Sequence, residues 1–415
     1  MVGKGSLLVI LGFSLIFGIA SRYWNRMSNA AIDNFVQYYN WTNAHNIAVS
    51  AANIAADSVF WNPQATHLSL SGSFSDGVYT ISTQLSGSNI VITSVGRYQG
   101  ASDTVTVILQ PYYFSRFAVY TSVMTSAYGS VYWATGDTVW GRYHNEQDKI
   151  NILGSPVFYG KVTSKLGTNP KLPSKSATPQ FYGGYQSGVS IPMPNTSAAD
   201  AQAAAASGGF VFNNPGNGPY DVYLTLNSDG TVTYRTPSMA RDSTVALRVL
   251  APNGVIFVNK GNLHLKGTLN GQATVGATGS SGAFGNVYIE DDVLYSKDPQ
   301  TYPNSTDMLG IVAENNVTVK KPSTPPYKHD WTIDAAIFAQ KGYFNAYVDD
   351  YPVLGSIKVF GSITNYQLGA TAIGDNYGNV IHGYSSNYRF DSRLETATPP
   401  SYPSTGRFQV VAWRE

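Results

Sequence analysis

The chain predicts a mainly β protein with one long N-terminal α-helix, in which a small antiparallel sheet is followed by a β-solenoid (parallel β-helix-like) domain. Three observations predict it. An apolar run, Ser6 to Ala20, passes without a break into helical spacing that lasts to about Ala56. From Thr66 the hydrophobic period changes to two, the spacing of a strand with one buried face. Beyond Phe114, short β-prone runs recur between Gly and Asn, the texture of coils whose corners need tight or left-handed backbone.

Composition narrows the function. Charged residues make up 12% of 415, about half the usual share for a soluble globular chain. The 29 tyrosines, with abundant Gly, Ser, Thr and Asn, suit strands and turns. Basic and acidic side chains number 26 and 25, with no basic run beyond the first residues and the helix flank. Nucleic acid is therefore not an expected partner, because phosphate binding needs concentrated positive charge. The absence of cysteine excludes disulfides, thiolate nucleophiles and Cys-based zinc sites, and no cofactor is expected.

Ser6 to Trp24 offers 19 residues with one charge, Arg22, where a bilayer span takes roughly 20. Leu7, Leu8, Val9, Ile10, Leu11, Phe13, Leu15, Ile16 and Phe17 are the side chains expected to pack in the membrane and against neighbouring helices. Tyr23 and Trp24 suit the interface, and Arg22 can reach out of it. Lys4 precedes the span and Arg22 and Arg26 follow it, so charge counting does not fix its orientation. Ile19-Ala20-Ser21-Arg22-Tyr23-Trp24 holds no convincing small-residue cleavage site, which favours retention over a cleaved secretory signal. Ile32, Phe35, Val36, Tyr39, Ile47, Ala48, Ala51, Ala52, Ile54 and Ala55 then recur three and four apart, with few breakers before Pro63. A continuous helix from Ser6 to Ala56 would be about 75 Å long. A signal anchor followed by a separate amphipathic helix is the competing reading.

Lys4-Gly5-Ser6-Leu7-Leu8-Val9-Ile10-Leu11 and the Ala-rich block from Ala44 to Asn53 resemble the amino-terminal segment of PilX-type minor pilins. The resemblance implies a short basic leader, residues 1–5, cut between Gly5 and Ser6 by a prepilin peptidase. It also implies a helix that inserts into a type IV pilus or a type II secretion pseudopilus among other pilin or pseudopilin subunits. Major pilins of this kind carry Glu at the fifth mature position, where this chain has Ile10. The departure points to a minor, tip or accessory role.

The next segment, 63–113, reads as an antiparallel meander of four strand-like runs. These are 67–74, 78–81, 90–95 and 104–109, separated by Asp76-Gly77, Ser86-Gly87-Ser88-Asn89 and Gln99-Gly100. From 114 to 415 the short runs include 150–152, 156–158, 255–258, 263–265, 273–275, 287–289, 310–313, 317–319, 336–339 and 357–360. They predict a solenoid, with an irregular sandwich as the alternative. Within it 165–219 reads as an irregular insertion carrying a short helix, Ser197 to Ser207, closed by Gly208-Gly209. Gly141-Arg142-Tyr143-His144-Asn145, Gly154-Ser155-Pro156-Val157-Phe158, 254–258, 334–339, 361–363, 383–388 with Asp391 and Arg393, and Trp413 resemble an uncharacterised bacterial envelope β-domain that commonly accompanies PilX-type anchors.

Motifs for nucleotide binding, zinc hydrolysis and the serine nucleophile elbow are absent from the sequence. The six histidines are scattered without ligand-pair spacing, and His144 is expected to anchor a turn rather than catalyse. Glu290, Asp291 and Asp292 form the densest acid cluster and are the weak candidates for a metal. They are expected to solvate a loop, as is Asp349-Asp350. Asp391 with Arg389 and Arg393, beside Tyr384 and Tyr388, could serve a glycan-active enzyme, but reads better as a cap on the last rung.

The expected function is thus non-enzymatic. It is that of a minor pilin or pseudopilin-like protein of the bacterial envelope, anchored in the inner membrane and active in filament assembly or adhesive display. A membrane-anchored polysaccharide lyase or hydrolase is the alternative.

Overall fold

The computed structural model describes residues 3–62, 66–126, 129–279, 281–322, 327–346, 353–374 and 380–415. Met1, Val2, Pro63, Asp349 and Asp350 lie outside the described residues. The chain divides into two units, 1–112 with 406–415 and 113–405.

In the first unit a single helix, α1 (Gly3–Trp61), lies against a sheet of β1 (Ser69–Phe74), β2 (Gly77–Ser86), β3 (Asn89–Tyr98) and β4 (Ala101–Tyr113). The strands pair as an antiparallel meander in chain order. Their turns fall where the sequence expected them. Asp76 and Gly100 sit at positive φ, as do Ser75, Gly87 and Gln99. Alternate residues Ile90, Ile92, Val105, Val107 and Leu109 face Ala48, Ala51, Ala52, Ala55 and Val59 of the helix. Small side chains let helix and sheet approach closely. Ser94 Oγ donates 2.8 Å to the Ala48 carbonyl, and His45 Nδ1 stands 2.7 Å from Asp103 Oδ2.

The second unit is built from parallel ladders. On one face Phe210–Asn213 pairs with Val255–Asn259, and that strand in turn with Gln272–Thr278, Met308–Ala313 and Trp331–Ala339. The ladder continues through Val353–Gln367 to Val119–Val123, Tyr143–Asn145, Val162–Ser164 and Tyr185–Ser187. A second face runs through Asp221–Leu226, Asn262–Leu269, Val287–Tyr295, Val317–Val319 and Phe344–Ala346. A third uses the later halves of Asn262–Leu269 and Val287–Tyr295 and the earlier halves of Trp331–Ala339 and Val353–Gln367, and reaches Val380–Phe390. The predicted class therefore holds: one long helix, a small antiparallel sheet and a large parallel, solenoid-like stack.

The stacking order is not the chain order. The chain begins mid-stack at Val119–Val123 and climbs outward to Tyr185–Ser187. It then crosses to the opposite end at Phe210–Asn213 and returns, closing a seam where Ile363, Thr364, Asn365 and Gln367 pair with Val119, Tyr120, Thr121 and Val123. The apolar runs 255–258, 310–313 and 336–339 are buried on both sides, as parallel strands usually are. One side faces the core of Ile256, Val275, Ile311 and Ile337. The other is covered in part by α2 (Ser197–Gly208), whose Ser197, Ala198, Ala201 and Ala205 are buried. Twelve helical residues span about 18 Å, close to the four strand steps of about 4.8 Å that separate Trp331–Ala339 from Phe210–Asn213. Gln340 accepts from Ala198 N at one end of α2, and Asn253 donates to the Ala204 carbonyl at the other.

Three expectations differ from the structure. The stretch 165–219 contains a regular coil: Thr168–Asn169, Gln180–Phe181 and Tyr185–Ser187 continue the ladders in parallel register. These strands hold two or three residues each, too few for periodicity to register. Glu290, Asp291 and Asp292 lie within the strand Val287–Tyr295, at a bulge opposite 265–267, and not on a loop after it. Finally Ser404–Arg414, with Trp413, leaves the solenoid and joins the small sheet beside β4.

Candidate functional site

The most conspicuous unsatisfied surface belongs to α1. Residues 5–39 are exposed throughout, including Leu7, Leu8, Val9, Ile10, Leu11, Phe13, Leu15, Ile16 and Phe17. Leu8 and Phe17 are each 74% exposed, whereas Ala44 and Ala48, on the same helix, are fully buried. One helix thus has two environments along its length. The carboxyl-terminal half fastens to the sheet, and the amino-terminal half is long and apolar enough to cross a membrane. Exposed apolar area on this scale is unfavourable in water and marks a surface that lipid or protein covers. Gly5 and Ser6 lie in the first turns of the helix, and Gly5, Gly12 and Gly18 have open space around them.

No family model matches the chain, and no curated protein matches it. Among solved structures it is similar to the competence-associated pilin ComZ from Thermus thermophilus. That match has 13% identity and a TM-score of 0.39, over 90% of this chain and 97% of the other, a likeness too slight to carry a conclusion.

The polar candidates resolve into separate roles. Glu290 turns away from its acidic neighbours to His264, whose Nδ1 lies 2.5 Å from Oε1, and that hydrogen bond holds the carboxyl below its usual range. Asp291 and Asp292 instead meet His329, their ligand atoms all within 4.8 Å of one another. Asp292 Oδ1 already accepts from Thr332 N at 2.8 Å, which gives the group a structural role. The histidine is 37 residues from Asp292 in sequence, so no spacing rule could have found it.

Asp391 and Arg393 close on each other. The carboxylate is buried and accepts from Arg393 Nη2 at 2.7 Å, while Nη1 donates to the Ser305 carbonyl and the guanidinium lies over the Tyr295 ring. Asp391 is therefore held inside the fold and does not face solvent as a glycosidic carboxylate would. Arg389 Nη1 donates to Gln300 Oε1.

His144 sits on the strand Tyr143–Asn145, fully buried, with Nδ1 2.7 Å from Thr163 Oγ1 and Nε2 3.0 Å from Glu146 Oε2. Glu146 also accepts from Ser190 Oγ, Ile191 N and Lys165 Nζ. Burial raises its carboxyl pKa, but these hydrogen bonds outweigh burial and hold it below the usual range. Sequence reasoning singled out His144 and missed Glu146, although Glu146 fastens the crossing segment that begins at Gly188.

Proposed function

We propose that this is a non-enzymatic, minor pilin or pseudopilin-like protein of the bacterial envelope, with α1 seated in the inner membrane or among sister helices of a filament. The observation that supports the reading is the division of α1. An exposed apolar half continues a half locked onto an antiparallel sheet, so the helix serves at once as anchor and as scaffold. In this role the solenoid is the displayed, periplasmic or surface part, a prepilin peptidase cuts between Gly5 and Ser6, and Ile10 in place of an acid suits an accessory subunit.

The mature amino terminus tests the proposal. Intact-mass measurement on protein from native membranes should give a chain beginning at Ser6, methylated on its amine. A freely soluble native protein lacking residues 6–30 would overturn it.

A further inference from the structure

We infer that the terminal coil of the solenoid, 165–188, binds an acidic saccharide. This goes beyond the anchoring role and does not depend on how the amino terminus is processed.

Charge is the first observation. Between residues 149 and 199 the chain carries Lys149, Lys161, Lys165, Lys171 and Lys175 and no Asp or Glu, in a protein otherwise nearly balanced. In sequence these lysines are too widely spaced to look like a basic run. The coils gather three of them, Lys149, Lys165 and Lys171, around one concavity of about 450 Å³, together with Leu172, Tyr185 and Ser187. Among the described residues Glu146 lies 3.2 Å from Lys165, and Asp148, the chain neighbour of Lys149, accepts from Met124 N. Glu146 is itself buried and already engaged by His144, Ser190 and Ile191. A convergent positive site with so little internal compensation attracts an anion.

Position is the second. Thr168–Asn169, Gln180–Phe181 and Tyr185–Ser187 each pair on one side only among the described strands, so this coil ends the stack and leaves backbone polar groups to solvent. Beside it Trp140, Tyr159 and Tyr182 form an external column of stacked rings, with centroids 3.9 and 5.3 Å apart. Tyr182 ends that column, 69% exposed. The bowl itself is lined by the Tyr185 ring, the Thr168 and Ser187 hydroxyls and the three lysines, groups that receive a carboxylated sugar ring.

The same observations discriminate among occupants. The bowl has the volume of a small-ligand pocket, which holds a pyranose unit or two and not a nucleic-acid duplex. There is no arginine between Arg142 and Arg235, so the forked donors favoured for phosphate are absent and the cations are flexible point charges. A second copy stacking end to end would bring like charges together, and Pro170 and Pro173 remove donors from that edge.

The experiment is calorimetric titration of the full-length chain in neutral detergent with an oligogalacturonate. The neutral galactose oligomer, a short oligothymidylate and phosphatidylglycerol vesicles serve as parallel probes. The oligogalacturonate should bind and weaken about tenfold between roughly 50 and 300 mM salt, and the neutral oligomer should not bind. The Lys149→Ala/Lys171→Ala variant should lose at least about tenfold in affinity, whereas Lys320→Ala, on another face, should not change it. No binding at millimolar ligand, an unchanged affinity in the double variant, or tighter binding of the oligothymidylate or the vesicles would overturn the inference. Matching thermal melts for the variants and the parent show that loss of binding is not loss of fold.

Discussion

The backbone N–H of Ile191 donates to Glu146 Oε2 at 2.6 Å, tying the segment that crosses the stack to a coil laid down 45 residues earlier. Ser190 Oγ reaches the other oxygen at 2.7 Å, and Tyr120 Oη donates to the Ile191 carbonyl at 2.8 Å. One ionised carboxylate therefore holds the start of the crossing in place.

Its pH dependence follows. Because the folded carboxyl is depressed, its stabilisation is fully present above the unfolded Glu value of about 4.3 and is lost as pH falls through the lower folded value. Thermal melts from pH 7 to pH 3 should show this acid loss, and Glu146→Gln should flatten it while costing about 1–3 kcal/mol at pH 7. Limited proteolysis should cut Glu146→Gln near 188–196 first.

Asp334 predicts the opposite slope. Burial lifts its carboxyl to about 6, partly offset by the hydrogen bond from Tyr295 N and reinforced by Asp298 and Asp391. The folded state pays for ionising it, so stability falls as pH rises from about 4 through 6. Asp334→Asn keeps an acceptor for Tyr295 and should be more stable than the parent at pH 7.5 by about 1–3 kcal/mol, with the difference vanishing near pH 4. Equilibrium unfolding at the two pH values measures it.

At Gly96 the sheet lies directly against the main chain of the helix. A β-carbon there would stand 2.1 Å from the Ala44 carbonyl oxygen and 2.6 Å from Ala48 N, both main-chain atoms that cannot swing aside. Gly96→Ala should destabilise the first unit by about 1–3 kcal/mol, read as a lower melting temperature. Gly87→Ala, in open space but at positive φ, should cost about 1 kcal/mol through backbone strain.

Because residues 5–30 are exposed throughout, a chain beginning at residue 31 should keep its sheet and its melting temperature while losing the need for detergent. Circular dichroism and size-exclusion chromatography without detergent check both halves of that outcome.

Local signals carried much of this architecture. The α1 pattern and the meander were legible because apolar periodicity and Asp76-Gly77, Ser86-Gly87 and Gln99-Gly100 are contiguous in sequence. Runs such as 255–258 and 310–313 announced buried parallel strands by their unbroken apolar character. What stayed hidden was non-local. Nothing near Val119 indicates that its neighbour is Ile363, and the two-residue strands of the terminal coil offer no period. Lysines up to 22 residues apart, Lys149 and Lys171, meet only once the coils are stacked. Asp391 and Arg393 were noticed by composition, but only burial showed that they satisfy each other.

The seam between Val119–Val123 and the end of Val353–Gln367 also sets an order of events. As the polypeptide emerges, the early coils can stack on one another, yet 188–209 has no later coils to lie upon and the lower edge of Val119–Val123 stays bare. Closure waits for residues some 244 positions downstream, a long-range pairing of the kind that slows folding. A newly made molecule thus keeps an unsealed edge until the closing residues arrive.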